Sequence, residues 1–324
     1  MTTPRPAWSL PSLLGEGAAA ELVAAMSAGE AIVLRGEAGR FAGLFDEPRL
    51  RAALARMAAA MPPGARRFGA VIRDPLGDGL TFTESIEVEG VDVALAAGHT
   101  ICATDVAPFD ADLDAALAEI AASFAAAADL RFNAYLSPAG ARTPLHTDVR
   151  ISTSLQLAGR KRWRYARRAA VAYPRANAQI DRFGDVHWMN PVAGAGATIP
   201  APAPGDLHEV DLDAGDLICV PAGAWHEVLT LDHGLGLNLS VRPTPFAELV
   251  HLLVDAAFAG DGAWRSGLPL LPRDAVALGG EDVPSAVAST FAARVAELRA
   301  WLDRLDPAGP EVAALWRALT RPAP

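Results

Sequence analysis

Three side chains of types that bind metal ions lie in two short stretches of the sequence. His146 and Asp148 are two residues apart in TPLHTDVRIS, and His226 follows a Pro-Ala-Gly turn in DLICVPAGAWHEV. Because side chains alternate across a strand, His146 and Asp148 are expected on one face. Taken alone, such a pair is equally typical of a strand-end histidine beside a capping aspartate. The second histidine, at the start of another strand, favours a metal site.

The composition of this ligand set indicates which metal it would bind. Two imidazoles and one carboxylate suit a divalent first-row metal, and on Fe(II) they leave three adjacent positions open for other ligands. A structural zinc site would prefer a closed set of four ligands, usually with cysteine. Neither of the two cysteines, Cys102 and Cys219, is placed to complete such a set, and both are expected to be buried free thiols.

The segment that follows predicts an inward lysine. After a turn at Ala158-Gly159, residues 160–165 alternate between basic and aromatic types. Lys161 shares one strand face with two aromatic side chains, whereas the other face carries arginines and is expected to be solvated. A lysine that points inward needs an anion, because an unpaired buried charge is costly.

The elements around these residues fall into three regions. The chain has 324 residues, of which 51% are hydrophobic, enough for one large domain or two modest ones. Helices are expected over 18–28, 50–61 and 110–128. Residues 131–243 contain short strands separated by glycine and proline turns, which predicts an antiparallel sandwich or barrel. From residue 244 onward, apolar residues recur at the spacing of a helix–helix seam, internal or between subunits.

Two other stretches carry patterns of their own. TESIEVEGVDVALAAG (83–98) has the β-branched alternation of strands. The Gly/Ala/Pro-rich stretch Asn190–Asp206 interrupts the β region and is long enough to be a lid, one wall of a substrate groove, or a plain insertion.

The ordered set of motifs resembles the JmjC and cupin-like Fe(II)/2-oxoglutarate oxygenases, most closely their bacterial ribosomal-oxygenase type. That type has a His-x-Asp, a Gln ten residues after the His, a Gly-x-basic-x-Trp, a Gly-Asp turn before an apolar strand, a Pro-x-Gly-x-x-His and an Asn-x-Ser strand. The matching residues here are His146, Asp148, Gln156, Gly159, Lys161, Trp163, Gly215, Asp216, Pro221, Gly223, His226, Asn238 and Ser240. The resemblance covers 133–243 well and the N-terminal region more loosely.

This resemblance implies a fold and a domain organisation. It implies an α+β fold with a double-stranded β-helix core (jelly-roll, cupin-like) over about 131–243 and flanking helices. The oxygenase domain would extend over 1–243. A C-terminal helical region over 244–324 would follow, where the ribosomal type often ends in a winged-helix module instead. That departure means that the type's ribosomal-protein target does not transfer.

The resemblance also implies roles for individual residues. His146, Asp148 and His226 would bind iron, and Lys161 would pair with the distal carboxylate of 2-oxoglutarate, the anion that its inward position requires.

Other matched positions carry weaker implications. Thr143 and Tyr135 match positions that often hydrogen-bond the same carboxylate, although Tyr135 would nearly as well be a packing residue. Asn238 and Ser240 share a strand face and would support the metal or the cosubstrate, or be purely structural. Gln156 would bind or pack.

The implied reaction is a hydroxylation coupled to the conversion of 2-oxoglutarate into succinate and CO2. Three hypotheses about the chain remain open. The first is hydroxylation of a protein or peptide side chain, and the second is hydroxylation of a small molecule such as an amino acid or natural product. The third is a metal-binding cupin without oxygenase activity. Lys161 argues against the third, because a cupin that does not bind 2-oxoglutarate has no use for an inward lysine.

Charge and hydropathy indicate which partners to expect. A net charge of -10 argues mildly against nucleic acid and favours a neutral-to-basic polypeptide. The N-terminal residues have no signal pattern and no apolar run is long enough to span a membrane, so a cytoplasmic protein is expected. Phe246, Leu249, Leu298 and Leu302 form apolar stripes that predict a homodimer.

Overall fold

The structure is a computed structural model that describes residues 8–61, 68–72, 79–124, 128–189, 198–203, 205–267 and 283–320. The chain divides into two compact units, Met1–Arg242 and Pro243–Pro324. None of the described helices is long and apolar enough to cross a membrane.

The described elements follow one another in an order that mixes helices and strands in the first unit and has helices alone in the second. The helices are α1 (Leu10–Leu14), α2 (Glu16–Ala28), α3 (Glu47–Ala60), α4 (Val91–Ala96), α5 (Ala111–Ala121), α6 (Phe246–Phe258), α7 (Gly262–Arg265), α8 (Ser285–Leu302) and α9 (Pro310–Thr320). The strands are β1 (Ile32–Leu34), β2 (Phe68–Ile72), β3 (Phe82–Ile86), β4 (Thr100–Ala103), β5 (Ala128–Ser137), β6 (Arg142–Thr147), β7 (Ile151–Ala158), β8 (Lys161–Ala166), β9 (Ala178–Ile180), β10 (Val186–Trp188), β11 (Leu207–Leu212), β12 (Leu217–Val220), β13 (His226–Thr230) and β14 (Gly234–Pro243).

Two antiparallel sheets build the first unit. An eight-stranded sheet has the order β1-β12-β7-β14-β5-β4-β2-β3, and a six-stranded sheet has the order β10-β9-β6-β13-β8-β11. Between β6 and β14 the chain passes repeatedly from one sheet to the other. Gly236 of the large sheet lies against the Lys161 side chain of the small sheet, so the two sheets face each other. The predicted α+β fold with a jelly-roll core is confirmed.

The segment that the sequence predicts as a single strand from His146 onward is two strands. β6 ends in the small sheet, the chain bends at 148–150, and β7 begins in the large sheet. The prediction that His146 and Asp148 share the face of one strand is therefore wrong. The bend is fixed by hydrogen bonds from Gly223 N to Asp148 O (2.8 Å) and from Val149 N to the Asn177 side chain (2.8 Å). Both ligand candidates still point between the two sheets, because the bend at 148–150 brings the Asp148 side chain to the same side as that of His146.

The apolar core lies on the other side of the large sheet, where the helices of the first unit cover it. Side chains at alternate positions of β5 and β14 pack there against α2, α3 and α5. Fully buried examples are Leu22, Leu50, Leu54, Leu113, Ile120, Phe132, Leu136 and Leu237. The two cysteines are free, with Cys219 buried and Cys102 partly buried, as predicted.

Two element predictions need correction. The helix expected over 110–128 is α5, which is shorter and ends at Ala121, and β5 begins at Ala128. Its start is defined by Asp110, whose carboxylate accepts a hydrogen bond from Leu113 N (3.0 Å). The strand pattern of 83–98 ends with β3, and α4 follows because Val91 and Ala94 are buried at helical spacing.

The second unit is helical, as expected for 244–324. Aromatic side chains pack against one another in this unit, where the Phe258 ring stacks on Trp264 at 4.1 Å and meets the edge of Trp301 at 5.8 Å. Trp264 Nε1 also donates a hydrogen bond to Glu297 (2.8 Å), which ties α7 to α8.

Candidate metal centre

The three predicted metal ligands come together at one end of the space between the sheets. His146 lies near the end of β6, Asp148 lies in the bend that follows, and His226 is the first residue of β13. β6 and β13 are neighbours, and His226 is directly opposite His146 in their register. Two adjacent antiparallel strands therefore present both imidazoles on the same face.

The distances between the ligand atoms suit a single ion. Asp148 Oδ2 lies 3.8 Å from His146 Nε2 and 3.6 Å from His226 Nε2. One ligand atom from each of the three residues can be chosen so that all lie within 4.8 Å of one another. Metal–ligand bonds of about 2.1 Å place two donors on one ion up to about 4.2 Å apart. Both distances to Asp148 fall within that limit.

Hydrogen bonds fix the orientation of both imidazoles. Nδ1 of His146 lies 2.8 Å from Pro144 O, and Nδ1 of His226 lies 3.0 Å from Ala224 O. A carbonyl oxygen only accepts, so each Nδ1 is the donor and carries the proton. Each Nε2 therefore keeps a lone pair that points towards Asp148, the arrangement that a metal-binding histidine requires.

Asn177 is a further residue of the site that the sequence analysis missed. Its Nδ2 donates to Asp148 Oδ1 (3.0 Å), and its Oδ1 accepts from Val149 N (2.8 Å). One carboxylate oxygen of Asp148 is thus occupied, and the other is left for the ion. Asn177 precedes β9, far from Asp148 in sequence and outside any motif of the resemblance, so only the fold brings the two together.

The electrostatic state of the site also suits a cation. Burial, and next the neighbouring His226, lower the pKa of His146 to about 4, which keeps this imidazole neutral at physiological pH. Burial alone would raise the pKa of Asp148, but the contacts with the two imidazoles lower it overall. A neutral histidine and an ionised carboxylate are the forms that bind metal.

Lys161 is inward, as predicted. Its side chain is 5% exposed, and no carboxylate pairs with it among the described residues. Its ammonium lies 6.0 Å from the centre of the Tyr135 ring. Burial lowers the pKa of Lys161 to about 8. A buried ammonium without an anion is the feature that an anionic ligand would complete.

The opposite face of β8 is solvated, as predicted. Arg162 pairs with Asp211 at 2.6 Å, and Arg164 pairs with Glu227. These ion pairs cross to the neighbouring strands β11 and β13, so the outward arginines already have partners within the small sheet.

Two of the weaker candidates lie on the cavity side of the sheets. A bulge in β6 sets Thr143 opposite Val228, two residues from His226, and so Thr143 lies on the face of the metal ligands. Tyr135 is partly buried beside Cys102 and Asn238, and its pKa is raised well above the usual value by Cys102 and by burial.

Asn238 and Ser240 have different environments although they share a strand face. Asn238 Oδ1 is buried without a hydrogen-bond partner, which suits a ligand-facing role. Ser240 Oγ accepts a hydrogen bond from Arg150 Nε (2.7 Å), and Arg150 also binds Asp129. This arrangement favours the structural alternative for Ser240.

Gln156 is fully buried, and its two amide atoms differ. Nε2 donates to Ala158 O (2.7 Å), whereas Oε1 has no partner. This side chain therefore supports the turn before β8 and also presents a vacant acceptor towards the cavity.

Most of the stretch Asn190–Asp206 lies outside the described residues. In its described part, Ile199 packs with Ala166 and Trp225, and Trp225 Nε1 donates to Pro200 O (2.8 Å). Ala166 and Trp225 lie on the strand face opposite to Tyr165 and His226, so this part covers the outer face of the small sheet.

Residues 106–249, which contain all three ligand candidates, match the JmjC domain family. The matched segment, which is less than half of the chain, is similar to that family. Part of the chain is also 30% identical over 124 residues to 2-oxoglutarate and iron-dependent oxygenase JMJD4 of Homo sapiens, which covers 34% of this chain and 26% of the relative. The alignment therefore spans about a quarter of that curated relative.

Solved structures resemble most of the chain in fold. The Escherichia coli ribosomal oxygenase YcfD in complex with cobalt and 2-oxoglutarate aligns with a TM-score of 0.52 and 14% identity, over 90% of this chain and 67% of that chain. Its complex with cobalt and succinic acid aligns with a TM-score of 0.52 and 16% identity, over 89% of this chain and 65% of that chain. At such identities the likeness shows the fold, and it agrees with the predicted family.

Proposed function

We propose that the chain is an Fe(II)- and 2-oxoglutarate-dependent oxygenase that hydroxylates a side chain of a protein or peptide and releases succinate and CO2. The observation that carries the proposal is the combination of two sites on the facing sides of the two sheets. His146, Asp148 and His226 present free ligand atoms at one end, and Lys161 lies further in as a buried cation without a partner. The relative JMJD4 is named as a 2-oxoglutarate and iron-dependent oxygenase, and one YcfD structure is a complex with cobalt and 2-oxoglutarate.

The residues present fit both groups. Two Nε2 lone pairs and Asp148 Oδ2 would hold Fe(II) on one side and leave its other positions open. When bound, the iron and 2-oxoglutarate supply the oxidising chemistry. The chain's own contribution is to fix the imidazoles through Pro144 and Ala224 and the carboxylate through Asn177.

The spacing along β8 suits a ligand of the length of 2-oxoglutarate. Tyr165 is opposite His226 in the register, and Lys161 is four residues away on the same face. Four residues extend about 13 Å along a strand. The Lys161 side chain spans part of this distance. Lys161 would hold the distal carboxylate, Thr143 and Tyr135 lie on the cavity side where they would add hydrogen bonds, and the apolar wall at Trp163 would exclude water.

A polypeptide substrate is supported by the name of the YcfD structures, ribosomal oxygenase, and by the charge of the chain. With a net charge of -10, long-range attraction favours a neutral or basic partner over nucleic acid. Hydroxylation of a small molecule by the same cofactors is the alternative. A metal-binding cupin without oxygenase activity is disfavoured by the buried Lys161.

The metal and cosubstrate assignments are separated by four alanine variants of the full chain. Replacing His146, Asp148 or His226 should abolish tight Fe(II) or Mn(II) binding measured by calorimetry. Lys161→Ala should leave metal affinity intact and weaken 2-oxoglutarate binding by ~1.5–3 kcal/mol, the range for a hydrogen bond to a charged group. Arg162→Ala, on the solvated face of the same strand, is the matched control. Wild-type metal affinity in two of the three ligand variants would refute the metal assignment.

The substrate class is tested by mass spectrometry. The Fe(II)-loaded protein with 2-oxoglutarate is incubated with a library of basic peptides and, separately, with free amino acids. A gain of one oxygen atom on a peptide side chain is the expected result. Efficient hydroxylation of a free amino acid with no peptide modified would establish the small-molecule alternative instead.

A further inference from the structure

Gly236 lies beside Lys161 between the two sheets, and its backbone conformation does not require glycine. It lies in β14 opposite Gln156, with a φ outside the left-handed region that favours glycine. A Cβ at this position would meet no atom closer than 3.3 Å. Its neighbour Gly234 differs, because a Cβ there would lie 2.1 Å from Ala158 O. A side chain at 236 would therefore press on the end of the flexible Lys161 side chain, whereas one at 234 would collide with backbone.

The atoms nearest to that missing Cβ are all polar ends of buried side chains. Lys161 Nζ would be 3.3 Å away, Ser154 Oγ 3.6 Å and Gln156 Oε1 3.9 Å. They come from both sheets and converge on the volume that a side chain at 236 would enter. Among the described residues, Lys161 has no anionic partner and Gln156 Oε1 has no hydrogen-bond donor. An anion held by Lys161 has room on this side because residue 236 has no side chain.

We propose that Gly236 is a specificity-determining residue, which leaves space for the distal carboxylate of a five-carbon 2-oxo diacid. This inference rests on the proposed function for the class of ligand. A methyl group at 236 would occupy space next to Lys161 Nζ and displace a carboxylate bound there. A diacid one carbon shorter would still fit, because its carboxylate stops before that space.

The polar atoms beside Gly236 also set an upper limit to the length of the diacid. Gln156 Oε1 and Ser154 Oγ lie behind the space beside Gly236. Gln156 is fixed by its hydrogen bond to Ala158 O and offers only an acceptor. A carboxylate pushed further in by an additional methylene would face this acceptor, with only the Ser154 hydroxyl as a donor, so longer diacids are disfavoured.

The test measures the binding of three diacids by calorimetry on the full chain loaded with Mn(II), which avoids turnover. Oxaloacetate, 2-oxoglutarate and 2-oxoadipate have four, five and six carbons, and the wild type should bind the five-carbon acid most tightly. Gly236→Ala should weaken 2-oxoglutarate about tenfold or more, the scale of overpacking, and leave oxaloacetate within about threefold. Gly17→Ala in α2, where a Cβ meets nothing within 4 Å, is the matched control.

The outcomes separate this inference from the proposed function. Unchanged affinities in Gly236→Ala would overturn the role of Gly236. An equal loss for all three acids would also overturn it, because it would indicate a general disturbance of the cavity rather than a limit on length. If the Mn(II)-loaded wild type bound none of the acids, the proposed function itself would fail. Thermal unfolding of each variant checks that the fold is intact.

Discussion

Lys161 is the residue whose protonation should govern the site. Burial lowers its pKa to about 8, whereas the groups packed against it stay neutral, since the pKa values of Cys102 and Tyr135 are both raised. The ammonium form binds the carboxylate, and raising the pH through 8 removes its proton. Cosubstrate affinity should therefore be constant below about pH 7 and fall up to about tenfold per pH unit above 8.

Titration calorimetry of 2-oxoglutarate from pH 6.5 to 9.5 measures this dependence. Lys161→Met has no group that titrates at that position, so its weaker binding should not vary over the same range. An equally steep decrease in the variant would assign the dependence to another group.

Asn177 should act as a positioning residue for the metal ligand Asp148. Asn177→Ala removes the hydrogen bond to Asp148 Oδ1, so the carboxylate loses its fixed orientation. Such outer contacts are typically worth about 10–100-fold in metal affinity. Competition with a fluorescent chelator measures the Mn(II) affinity. A loss of unfolding free energy with unchanged Mn(II) affinity would show that Asn177 only stabilises the bend at 148–150, through its hydrogen bond with Val149 N.

At the scale of elements, some residues of the family motif stabilise the fold and take no part in the reaction. The Gly-Asp turn before β12 carries Asp216, whose buried carboxylate accepts from Arg35 Nη1 (2.6 Å), Gly36 N (3.0 Å) and Asp213 N (3.0 Å). It joins the turn to the chain that follows β1. Gly215 has a φ of 98°, and a Cβ there would lie 1.9 Å from Glu37 O. Both residues hold the edge of the large sheet, away from the metal centre.

Asp216→Ala should lower stability without affecting the ligand atoms. The variant removes the acceptor of two partly buried backbone N–H groups and breaks the ion pair with Arg35, which costs about 1–3 kcal/mol of unfolding free energy. Denaturant unfolding measures this loss, and Mn(II) affinity at low temperature should be unchanged. Asp213→Ala, three residues earlier and exposed, is the control. Stability equal to that of the wild type would show that the ion pair and the two backbone contacts contribute nothing.

At the scale of the whole molecule, the exposed apolar side chains of the second unit support the predicted homodimer. Phe246 is 78% exposed and Phe291 is 65% exposed, while Leu249 and Leu298 are half-buried. Exposed aromatic side chains of this kind are typical of surfaces that bind a partner. Light scattering at micromolar concentration should give twice the mass of the chain.

A double variant tests whether these side chains form the interface. Phe246→Ser with Phe291→Ser should shift the protein to a monomer without lowering the melting temperature of the first unit. Val93→Ser, at a residue of α4 that is 72% exposed, is the control and should remain dimeric. A monomeric wild type would contradict the prediction outright.

The sequence by itself determined the ligand types and the strand face of Lys161. Those inferences succeed because metal-ligand chemistry and strand alternation are local properties of a few residues. The tertiary structure decided what depends on distant contacts. It placed Asp148 in a bend between two sheets, brought Asn177 to its carboxylate and put Gly236 beside Lys161. No local pattern encodes these contacts, because each joins strands or loops that are separated along the chain and meet only when the two sheets close on each other.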